Sequence, residues 1–506
     1  MPETENTLPN TITVGLKNHS MMLVDAEAHQ IPELREYFSF FVPNYRYVPA
    51  YKNKKWDGKI KLFNQVTREL NVGLYEHLRK FCSDRMYPLR LQETDYGHPA
   101  QRNKVDHQTL VKFQESLKLP FPLRDYQYEA VSHGIEKKRA ILLSPTGSGK
   151  SFICYNLIQW YMDNYGDKQI LIVVPTTSLV EQLYKDFDEY GFDVEENVHR
   201  IYSGKDKTTD KPIIISTWQS IYKLPGSWFE QFGMVVGDEA HTFKAKSLTS
   251  ILEKLRDCKY RYGLTGTLDG TQTHRLVLEG LFGQVFKVTT TRELIDSKAL
   301  ADLKITVLLL KYSEETRRNQ TKKKYNEEID FIVGNEARNR FIRNLAVSLE
   351  GNTLVLFQLV EKHGVPLYNM IKDKIEATGK SQRKVFFVSG ATDVDTRENI
   401  RAITETEKDA IIVASSGTFS TGINIRNLHN VIFASPSKSK IRTLQSIGRG
   451  LRLGDNKKEA ILYDISDDMT HKSRKNFTLE HFIERMKIYN DEKFEYKIYT
   501  LNLKEE

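Results

Sequence analysis

The chain is organised around Ser144-Pro145-Thr146-Gly147-Ser148-Gly149-Lys150-Ser151. This segment follows the apolar run Ala140–Leu143 and precedes the apolar segment Phe152–Ile158, a pattern that predicts a buried strand, a tight loop and the start of a helix. The two glycines let the backbone curl until several N–H groups point at one phosphate, and the dipole of the following helix favours that negative charge. The segment therefore predicts a phosphate-binding loop.

Individual residues of this loop have distinct expected roles toward a bound nucleotide. Thr146, Gly147, Ser148 and Gly149 form the expected phosphate cradle. Lys150 is expected to reach the outer phosphates, and the Ser151 hydroxyl is expected to ligate Mg²⁺. The alternative is a Gly-rich turn with an exposed lysine, but the flanking strand and helix favour the phosphate loop.

Composition limits the class of protein. A chain of 506 residues suits three or so domains. Lys and Arg number 74 against 66 Asp and Glu, and the net charge of +8 favours polyanionic partners without requiring them. Cys82, Cys154 and Cys258 lack metal-ligand spacing, which favours a reducing compartment. No apolar run approaches membrane-spanning length, so we expect a soluble intracellular protein without membrane contact.

Changes in the hydrophobic pattern divide the chain into five parts. Residues 1–95 are predicted to form a small N-terminal α+β domain for nucleic-acid recognition, and residues 96–122 a linker. Residues 123–298 and 299–475 each alternate buried strands with helices, which predicts two tandem doubly wound α/β domains, the nucleotide-binding one first. Residues 476–506 are predicted to form a helical tail. The strand-like runs are Ile170–Val174, Ile213–Ser216, Met234–Gly237, Thr353–Phe357, Lys384–Val388, Ala410–Ala414 and Val431–Ala434.

Two segments concentrate cations. Aromatic and basic residues alternate within residues 45–59, where Lys54, Lys55 and Trp56 are candidate DNA contacts because such residues stack on bases and neutralise phosphates. An aromatic mini-core with lysines at its surface is an equally good interpretation. Residues 311–324 are expected to be a solvated charged segment, with nucleic-acid contact as the alternative.

An apolar strand ends in the carboxylate motif Asp238-Glu239-Ala240-His241. Asp238 at the strand end can hold the Mg²⁺ shell, and Glu239 can orient and deprotonate an attacking water. A water nucleophile predicts nucleotide hydrolysis. Two acids capping a strand in a polar loop are the alternative interpretation.

Two arginines in the second α/β domain are candidates for phosphate contact. Arg449 and Arg452 are three residues apart and share a face if the segment is helical. Guanidinium groups that reach the γ-phosphate would stabilise charge in the transition state and make domain closure and hydrolysis interdependent. Otherwise, two arginines on a helix are usually surface residues.

In this order, the phosphate loop, the carboxylate motif and Gln445-x-x-Gly448-Arg449-x-x-Arg452 resemble a superfamily-two helicase with a DEAH motif. The resemblance implies tandem RecA-like domains and ATP with Mg²⁺ as cofactors. It assigns catalysis to Lys150, Asp238, Glu239, Gln445, Arg449 and Arg452. It assigns the remaining roles to Arg124, Gln127 and Gly422 in ATP binding, to His241, Thr265 and Thr267 in coupling, and to Pro175, Thr176, Thr177, Thr217, Trp218, Gln219, Ser415 and Thr421 in DNA binding.

Flanking segments make the chain similar to the phage UvsW recombination helicases. These segments are Trp56–Leu62, Trp228–Met234, Phe419–Ile423, Ser437–Lys440 and Tyr489–Phe494. The similarity implies a monomeric ATP-dependent helicase or translocase that unwinds or branch-migrates four-way junctions, forks and R-loops in phage recombination, replication and repair. Its partners would be branched, single-stranded and duplex DNA, with RNA in hybrids as a further candidate, in the host cytoplasm. An RNA helicase and the motor subunit of a restriction or recombination complex remain alternatives.

Overall fold

A computed structural model describes residues 8–100, 102–103, 105–243, 245–268, 271–377, 383–422, 425, 427–436, 439, 448 and 459–504. The chain forms two compact units. The first comprises the residues up to Ser144 together with Gly149–Val288, and the second comprises Pro145–Ser148 together with the residues from Thr289 onward.

The N-terminal part of the first unit contains a four-stranded sheet in the order β5-β2-β1-β6 and a two-stranded sheet, β3-β4. Its strands are β1 Ile12–Leu16, β2 Met21–Asp25, β3 Ser39–Phe41, β4 Lys59–Lys61, β5 Glu69–Asn71 and β6 Leu89–Gln92, and its helices are α1 Gln30–Tyr37, α2 Pro49–Lys52 and α3 Tyr75–Asp84. The apolar pattern of residues 14–24 alone would suggest one strand, but the structure divides this stretch between β1 and β2. The Asn18 side chain accepts hydrogen bonds from the backbone N–H groups of Ser20 (2.8 Å) and Met21 (2.9 Å), which closes a turn between two antiparallel strands.

The segment predicted as a linker contains helix α4, His107–Ser116. Asp106 caps the helix by accepting from the N–H of Thr109 at 2.9 Å. Leu110 and Phe113 are buried in the core of the first α/β domain, where the Phe113 ring meets Trp160 edge to face at 5.0 Å. This stretch therefore contributes to a packed core as well as connecting two parts of the chain.

The first α/β domain is a parallel seven-stranded sheet in the order β13-β7-β12-β11-β8-β10-β9. Its strands are β7 Arg139–Leu143, β8 Gln169–Val174, β9 Val198–Ile201, β10 Ile213–Thr217, β11 Phe232–Asp238, β12 Tyr260–Thr265 and β13 Val285–Lys287. Its helices are α5 Asp125–Lys137, α6 Lys150–Asn164, α7 Thr177–Glu189, α8 Val194–Asn197, α9 Trp218–Ile221, α10 Lys246–Lys254 and α11 Gln272–Phe282. Every residue of β10 is buried, as expected for a strand covered on both faces.

The second unit contains another parallel seven-stranded sheet, in the order β16-β17-β15-β18-β19-β14-β20. Its strands are β14 Asp302–Lys311, β15 Thr353–Phe357, β16 Val385–Val388, β17 Ile411–Ser415, β18 Asn430–Phe433, β19 Glu459–Asp468 and β20 Tyr496–Asn502. Its helices are α12 Thr291–Asp296, α13 Glu314–Gln320, α14 Tyr325–Gly334, α15 Glu336–Ser348, α16 Val365–Ala377, α17 Val394–Thr406, α18 Ser416–Gly422 and α19 Phe477–Asp491. The expectation of two doubly wound α/β domains is confirmed.

The last part of the chain is only partly helical. Helix α19 matches the predicted helical tail, but the chain then forms β20, which pairs in parallel with β14 at the edge of the second sheet. The expectation of a wholly helical tail is therefore wrong for the strand. The helix begins against α14, where Glu328 accepts from the backbone N–H groups of Phe477 (3.0 Å) and Thr478 (2.8 Å).

Candidate nucleotide-hydrolysis site

The phosphate-loop segment connects β7 to α6, as the sequence predicts. The N–H of Ser144 donates to Thr265 O at 2.9 Å, which ties the start of the loop to the end of β12. Gly147 and Gly149 have φ of 86° and 82°, a left-handed conformation that side chains make costly. A Cβ atom on Gly149 would also lie 2.4 Å from the amide nitrogen of Gln127. Glycine is therefore required at both turns.

The lysine and hydroxyl groups of the segment are arranged by local contacts. Lys150 is the first residue of α6, and its Nζ donates to Ser144 O at 3.3 Å. Ser148 Oγ donates to Pro145 O at 2.6 Å. Ser151 follows in the first turn of α6, where backbone N–H groups and the helix dipole favour an anion. These residues fit the phosphates of a nucleotide.

Asp238 and Glu239 lie at the end of β11, beside the strand that carries Thr265. Glu239 has φ of 50°, uncommon for a side chain with a Cβ, and the chain passes through it into a 3₁₀ turn, Ala240–Thr242. Its N–H donates to Asp238 Oδ1 at 2.9 Å. Strained backbone of this kind is concentrated at functional sites, so Glu239 is held in place at a conformational cost.

The two carboxyl groups repel each other electrostatically. Burial raises the pKa of Asp238, and the neighbouring Glu239 raises it further, while Lys150 and His241 act in the opposite direction. Bringing a cation to this position would favour the ionised form of Asp238. Within the described residues no group of three or more His, Cys, Asp or Glu side chains could hold a metal by itself. Magnesium is usually bound by one or two carboxylates together with substrate phosphates, and the expected Mg²⁺ roles of Asp238 and Ser151 stay a prediction.

A hydrogen-bonded chain leads from the carboxylate pair to the loop after β12. His241 Nδ1 lies 3.0 Å from Thr265 Oγ1 and 3.3 Å from Glu239 Oε2. Thr265 Oγ1 donates to Thr267 O at 2.9 Å, so its hydrogen is committed and His241 Nδ1 is the donor to the hydroxyl. The three residues assigned to coupling are thus brought into one connected network.

Arg124 and Gln127, which are predicted to bind ATP, lie at the start of α5. Gln127 is buried, and its Oε1 accepts from the N–H of Arg124 at 2.9 Å, which completes the helix N-terminus. The Arg124 guanidinium donates to the Tyr126 hydroxyl at 3.0 Å. Gln127 is also the side chain that approaches Gly149, a contact that sequence spacing did not reveal.

The predicted DNA contacts of the first α/β domain lie at the carboxyl ends of two neighbouring strands. Pro175-Thr176-Thr177 follows β8, and Thr217-Trp218-Gln219 spans the end of β10 and the start of α9. Because β8 and β10 are adjacent and parallel, both segments reach the same edge of the sheet. Gln219 Nε2 donates to Pro175 O at 3.2 Å, so the structure joins the two segments directly.

Predicted residues of the second unit are described in part. Ser415 ends β17, and its Oγ donates to Thr418 Oγ1 at 2.7 Å. Thr421 and Gly422 belong to α18. The catalytic candidates Gln445, Arg449 and Arg452 lie outside the described residues.

The two basic segments have more regular structure than the sequence suggested. The Tyr45 ring stacks on Phe41 at 4.6 Å and meets Tyr51 edge to face at 4.7 Å, so the rings contact one another as a mini-core would, but Phe41 stays 50% exposed. The indole of Trp56 donates to Lys59 O at 2.9 Å. Within residues 311–324, the first residue ends β14 and seven residues form α13.

The cations beside the mini-core remain candidates for nucleic-acid contact. Lys54 and Lys55 are exposed on the segment between α2 and β4.

None of the described helices is both long and apolar enough to cross a membrane.

A phosphate loop and a strand-end carboxylate pair on one parallel sheet, followed by a second parallel sheet, are typical of nucleotide-hydrolysing motor proteins, and the family models place this chain among the helicases of superfamily two. Residues 11–92 match the N-terminal domain of the DNA helicase UvsW, residues 120–270 the res subunit of type III restriction enzymes, and residues 336–454 the helicase conserved C-terminal domain. The ATP-dependent DNA helicase uvsW of Enterobacteria phage T4 is 36% identical over 97% of this chain and 100% of its own length. The chain belongs to the UvsW family of helicases.

Two further comparisons agree with this placement. The crystal structure of T4 UvsW covers 98% of this chain and 100% of its own, with a TM-score of 0.52 and 34% identity. The DNA 3'-5' translocase XPB2 of Sulfurisphaera tokodaii is 27% identical and covers 69% of this chain and 83% of its own length.

Proposed function

We propose that the chain is an ATP-dependent DNA helicase or translocase that remodels branched DNA: four-way junctions, forks and R-loops. The observation that carries this proposal is the convergence of Ser144, Thr265 and Asp238 at the carboxyl ends of β7, β12 and β11, three adjacent strands. This edge of a parallel sheet is where open α/β folds bind ligands. The similarity to the T4 helicase along nearly the whole chain supports DNA as the substrate.

The residues of this edge would divide the work of ATP hydrolysis. The loop glycines orient backbone N–H groups toward the phosphates, and Lys150 adds a positive charge at the start of α6. Glu239 would orient and deprotonate the attacking water, and this role is supported by the contacts of His241 with Glu239 and with Thr265. Ser151 and Asp238 would hold Mg²⁺, which would neutralise phosphate charge. Gln445, Arg449 and Arg452 complete the proposed catalytic set.

Nucleic acid would contact the other strand ends. In the first α/β domain these are the joined segments Pro175–Thr177 and Thr217–Gln219, and in the second they include Ser415 and Thr421. Hydroxyls and amides at strand ends suit contacts to the phosphate backbone, which carry little sequence information. Lys54, Lys55 and Trp56 would add branch or duplex contact. We propose a monomer acting in the host cytoplasm, with RNA bound in RNA–DNA hybrids.

The decisive measurement is the steady-state ATPase rate of the full-length protein without nucleic acid and with single-stranded DNA, duplex DNA, a four-way DNA junction or single-stranded RNA. Nucleotide concentration and salt must match, because phosphate contacts make affinity strongly salt-dependent. We expect stimulation by DNA, greatest with the junction. Stimulation by RNA alone would replace the DNA assignment with an RNA helicase, and high unstimulated turnover would favour the motor subunit of a larger complex.

The Lys150→Ala variant tests the ATP site in the same assay. Loss of a charge that stabilises the transferring phosphate should lower turnover by about 100-fold or more. DNA binding should remain close to that of the parent protein. Lys112→Ala, on the exposed face of α4, is the matched control and should keep full activity. Normal turnover by Lys150→Ala would remove the phosphate loop from the mechanism.

A further inference from the structure

A cavity of about 130 Å³ lies inside the first unit, between the N-terminal sheet and the first parallel sheet. One wall includes His19 and Tyr96, whose rings meet edge to face at 5.3 Å. The lining also includes Lys138 and Arg139, where α5 passes into β7, and Lys259, which precedes β12. None of these residues belongs to the phosphate loop or the carboxylate pair.

Positive charge dominates the lining of this cavity. Its Lys and Arg side chains are those of Arg102, Lys137, Lys138, Arg139 and Lys259, against one carboxylate, that of Glu76. Arg102 bonds to Glu76 at 3.2 Å, and Lys137 pairs with Glu136 at 3.2 Å. Over the described part of the chain, Lys138, Arg139 and Lys259 form no ion pair with a carboxylate. Three cations thus remain without a countercharge.

The same cations are held firmly in place. Lys138 is only 6% exposed, and its φ of 62° fixes it as the left-handed cap of α5. Arg139 Nη2 donates to His19 O at 2.8 Å, whereas its Nη1 is buried and meets no hydrogen-bond acceptor among the described residues. A buried guanidinium donor without an acceptor is costly, and native structures usually satisfy such groups with a ligand, ion or water.

Burial and neighbouring cations together lower the pKa values of three groups in the cavity lining. Burial lowers the pKa of His19 to about 3, helped by Arg139 and Lys259. Burial, with Lys137, lowers the pKa of His133 to about 4. Burial and the adjacent Lys259 lower the pKa of Lys138 to about 8. A bound anion would oppose each of these shifts.

The volume limits the ligand to a small one. Pockets for drug-sized ligands usually measure about 300–1,000 Å³, so this cavity suits one compact anionic group with a few waters. A phosphate dianion would offset two of the three positive charges, and the planar guanidinium of Arg139 suits paired phosphate oxygens. We propose that this cavity is a second phosphate-binding site, which takes a phosphate group either free or carried by a nucleic-acid strand.

Calorimetric titration of full-length protein with inorganic phosphate at constant ionic strength tests this site. The Lys150→Ala background removes phosphate binding at the loop, so the remaining binding reports the cavity. We expect saturable binding there, weakened at least about tenfold by Lys138→Gln and by Lys259→Gln, since each removes one of the few charges facing the anion. Lys112→Gln makes the same charge change on the exposed face of α4 and should leave the affinity unchanged.

Absence of saturable phosphate binding in the Lys150→Ala background, or an unchanged affinity in Lys259→Gln, would overturn the proposal. If Lys138→Gln does not fold, the affinity of Lys259→Gln tests the proposal, because Lys259 is only half-buried and its substitution disturbs the fold less. Competition then identifies the carrier of the phosphate. If a 5′-phosphorylated oligonucleotide displaces inorganic phosphate but its 5′-hydroxyl counterpart does not, the site binds a strand end. If both oligonucleotides displace it, the site binds backbone phosphates. If neither does, the site binds free phosphate.

Discussion

The two units bury arginine in opposite ways. In the second unit, Arg338 donates to both oxygens of Asp467 at 2.7 and 3.1 Å, and Arg485 donates to both oxygens of Asp464 at 2.7 and 2.8 Å. In the first unit, Arg261 is equally buried but bonds to carbonyl oxygens and a hydroxyl. The charges of Arg338 and Arg485 are thus neutralised by buried carboxylates, whereas Arg261 bonds only to uncharged groups.

The pKa directions express this difference. Burial acts to lower the pKa of Arg338, but Asp467 outweighs it and the pKa is raised. Burial acts on Arg261 without a carboxylate to oppose it, so its pKa is lowered. Arg261 and Arg139 both lie close enough to lower the pKa of His19. The first unit therefore keeps a positive interior next to the cavity that we propose for phosphate, whereas the second uses its charges to fix its own fold.

Tryptophan positions allow the two units to be followed separately. The four tryptophans of the chain are Trp56, Trp160, Trp218 and Trp228, all in the first unit. Tryptophan fluorescence therefore reports unfolding of the first unit, and far-ultraviolet circular dichroism reports both.

Breaking a paired arginine should have the largest effect. Arg338→Met leaves Asp467 buried without its partner, which costs about 3–5 kcal/mol in unfolding free energy. In urea, the circular dichroism transition of the second unit should move to lower concentration while the fluorescence transition stays in place. Arg340→Met, on the exposed side of α15, should cost less than about 1 kcal/mol. Equal effects of the two substitutions would show that the Asp467 pair does not stabilise the second unit.

The buried carboxylate of the first unit should have a smaller, pH-dependent effect. Glu279 accepts from Arg275 at 2.9 Å and lies 2.6 Å from His77 Nε2. Burial acts to raise the pKa of Glu279, but these two hydrogen bonds outweigh it and the pKa is lowered. Because the pKa of Glu279 is lower in the folded state, its ionised form stabilises the protein at pH values above the unfolded-state pKa, which is about 4.3. This stabilisation is lost as the pH falls through the folded-state pKa.

Glu279→Gln should therefore cost about 1.5–3 kcal/mol at neutral pH, the range for hydrogen bonds to charged groups. The difference from the parent protein should shrink progressively below about pH 4. The measurement is the urea midpoint by tryptophan fluorescence between pH 7 and pH 3, with exposed Glu129→Gln as the control. A difference that is independent of pH would contradict the ionised hydrogen-bonded carboxylate.

The hydroxyl partner of Arg261 should have the smallest effect. Ser20 Oγ accepts from Arg261 Nη2 at 2.6 Å, and Ser20→Ala removes this bond at a cost of about 0.5–1.5 kcal/mol. Only the fluorescence transition should move. Ser83→Ala, at an exposed position of α3, should change it by less than about 0.5 kcal/mol. If Ser20→Ala lowered the unfolding free energy as much as Arg338→Met does, Arg261 would depend on this hydroxyl as strongly as Arg338 depends on its carboxylate.

Local patterns predicted the strands and loops around the nucleotide site well. The run before Ser144 and the run before Asp238 became β7 and β11, because continuous apolar segments between turn residues are typical of buried parallel strands. The contact between His241 and Thr265 also follows from the family motifs, since parallel strand ends meet at one edge.

Other features depend on tertiary contacts that no local pattern reports. Strand β20 alternates weakly and is largely exposed, so its pairing with β14 could not be predicted from the sequence. Ser20 and Arg261 are far apart in sequence, and their bond appears only when the N-terminal sheet packs on the first α/β domain. The charged run Lys137-Lys138-Arg139 was visible, but its burial was not.

The parallel pairing of β14 with both β19 and β20 has a consequence for synthesis of the protein on the ribosome. Parallel strands so distant in sequence cannot pair until the later strands have emerged from the ribosome. Roughly 190 residues separate β14 from β20, and at about 5–20 residues per second their translation takes on the order of 10–40 s. During that time Ile305, Val307 and Leu310, which are buried in the finished sheet, lie on a strand without neighbours. The nascent chain should therefore need chaperone protection mainly in its second half, after the first unit has already been made.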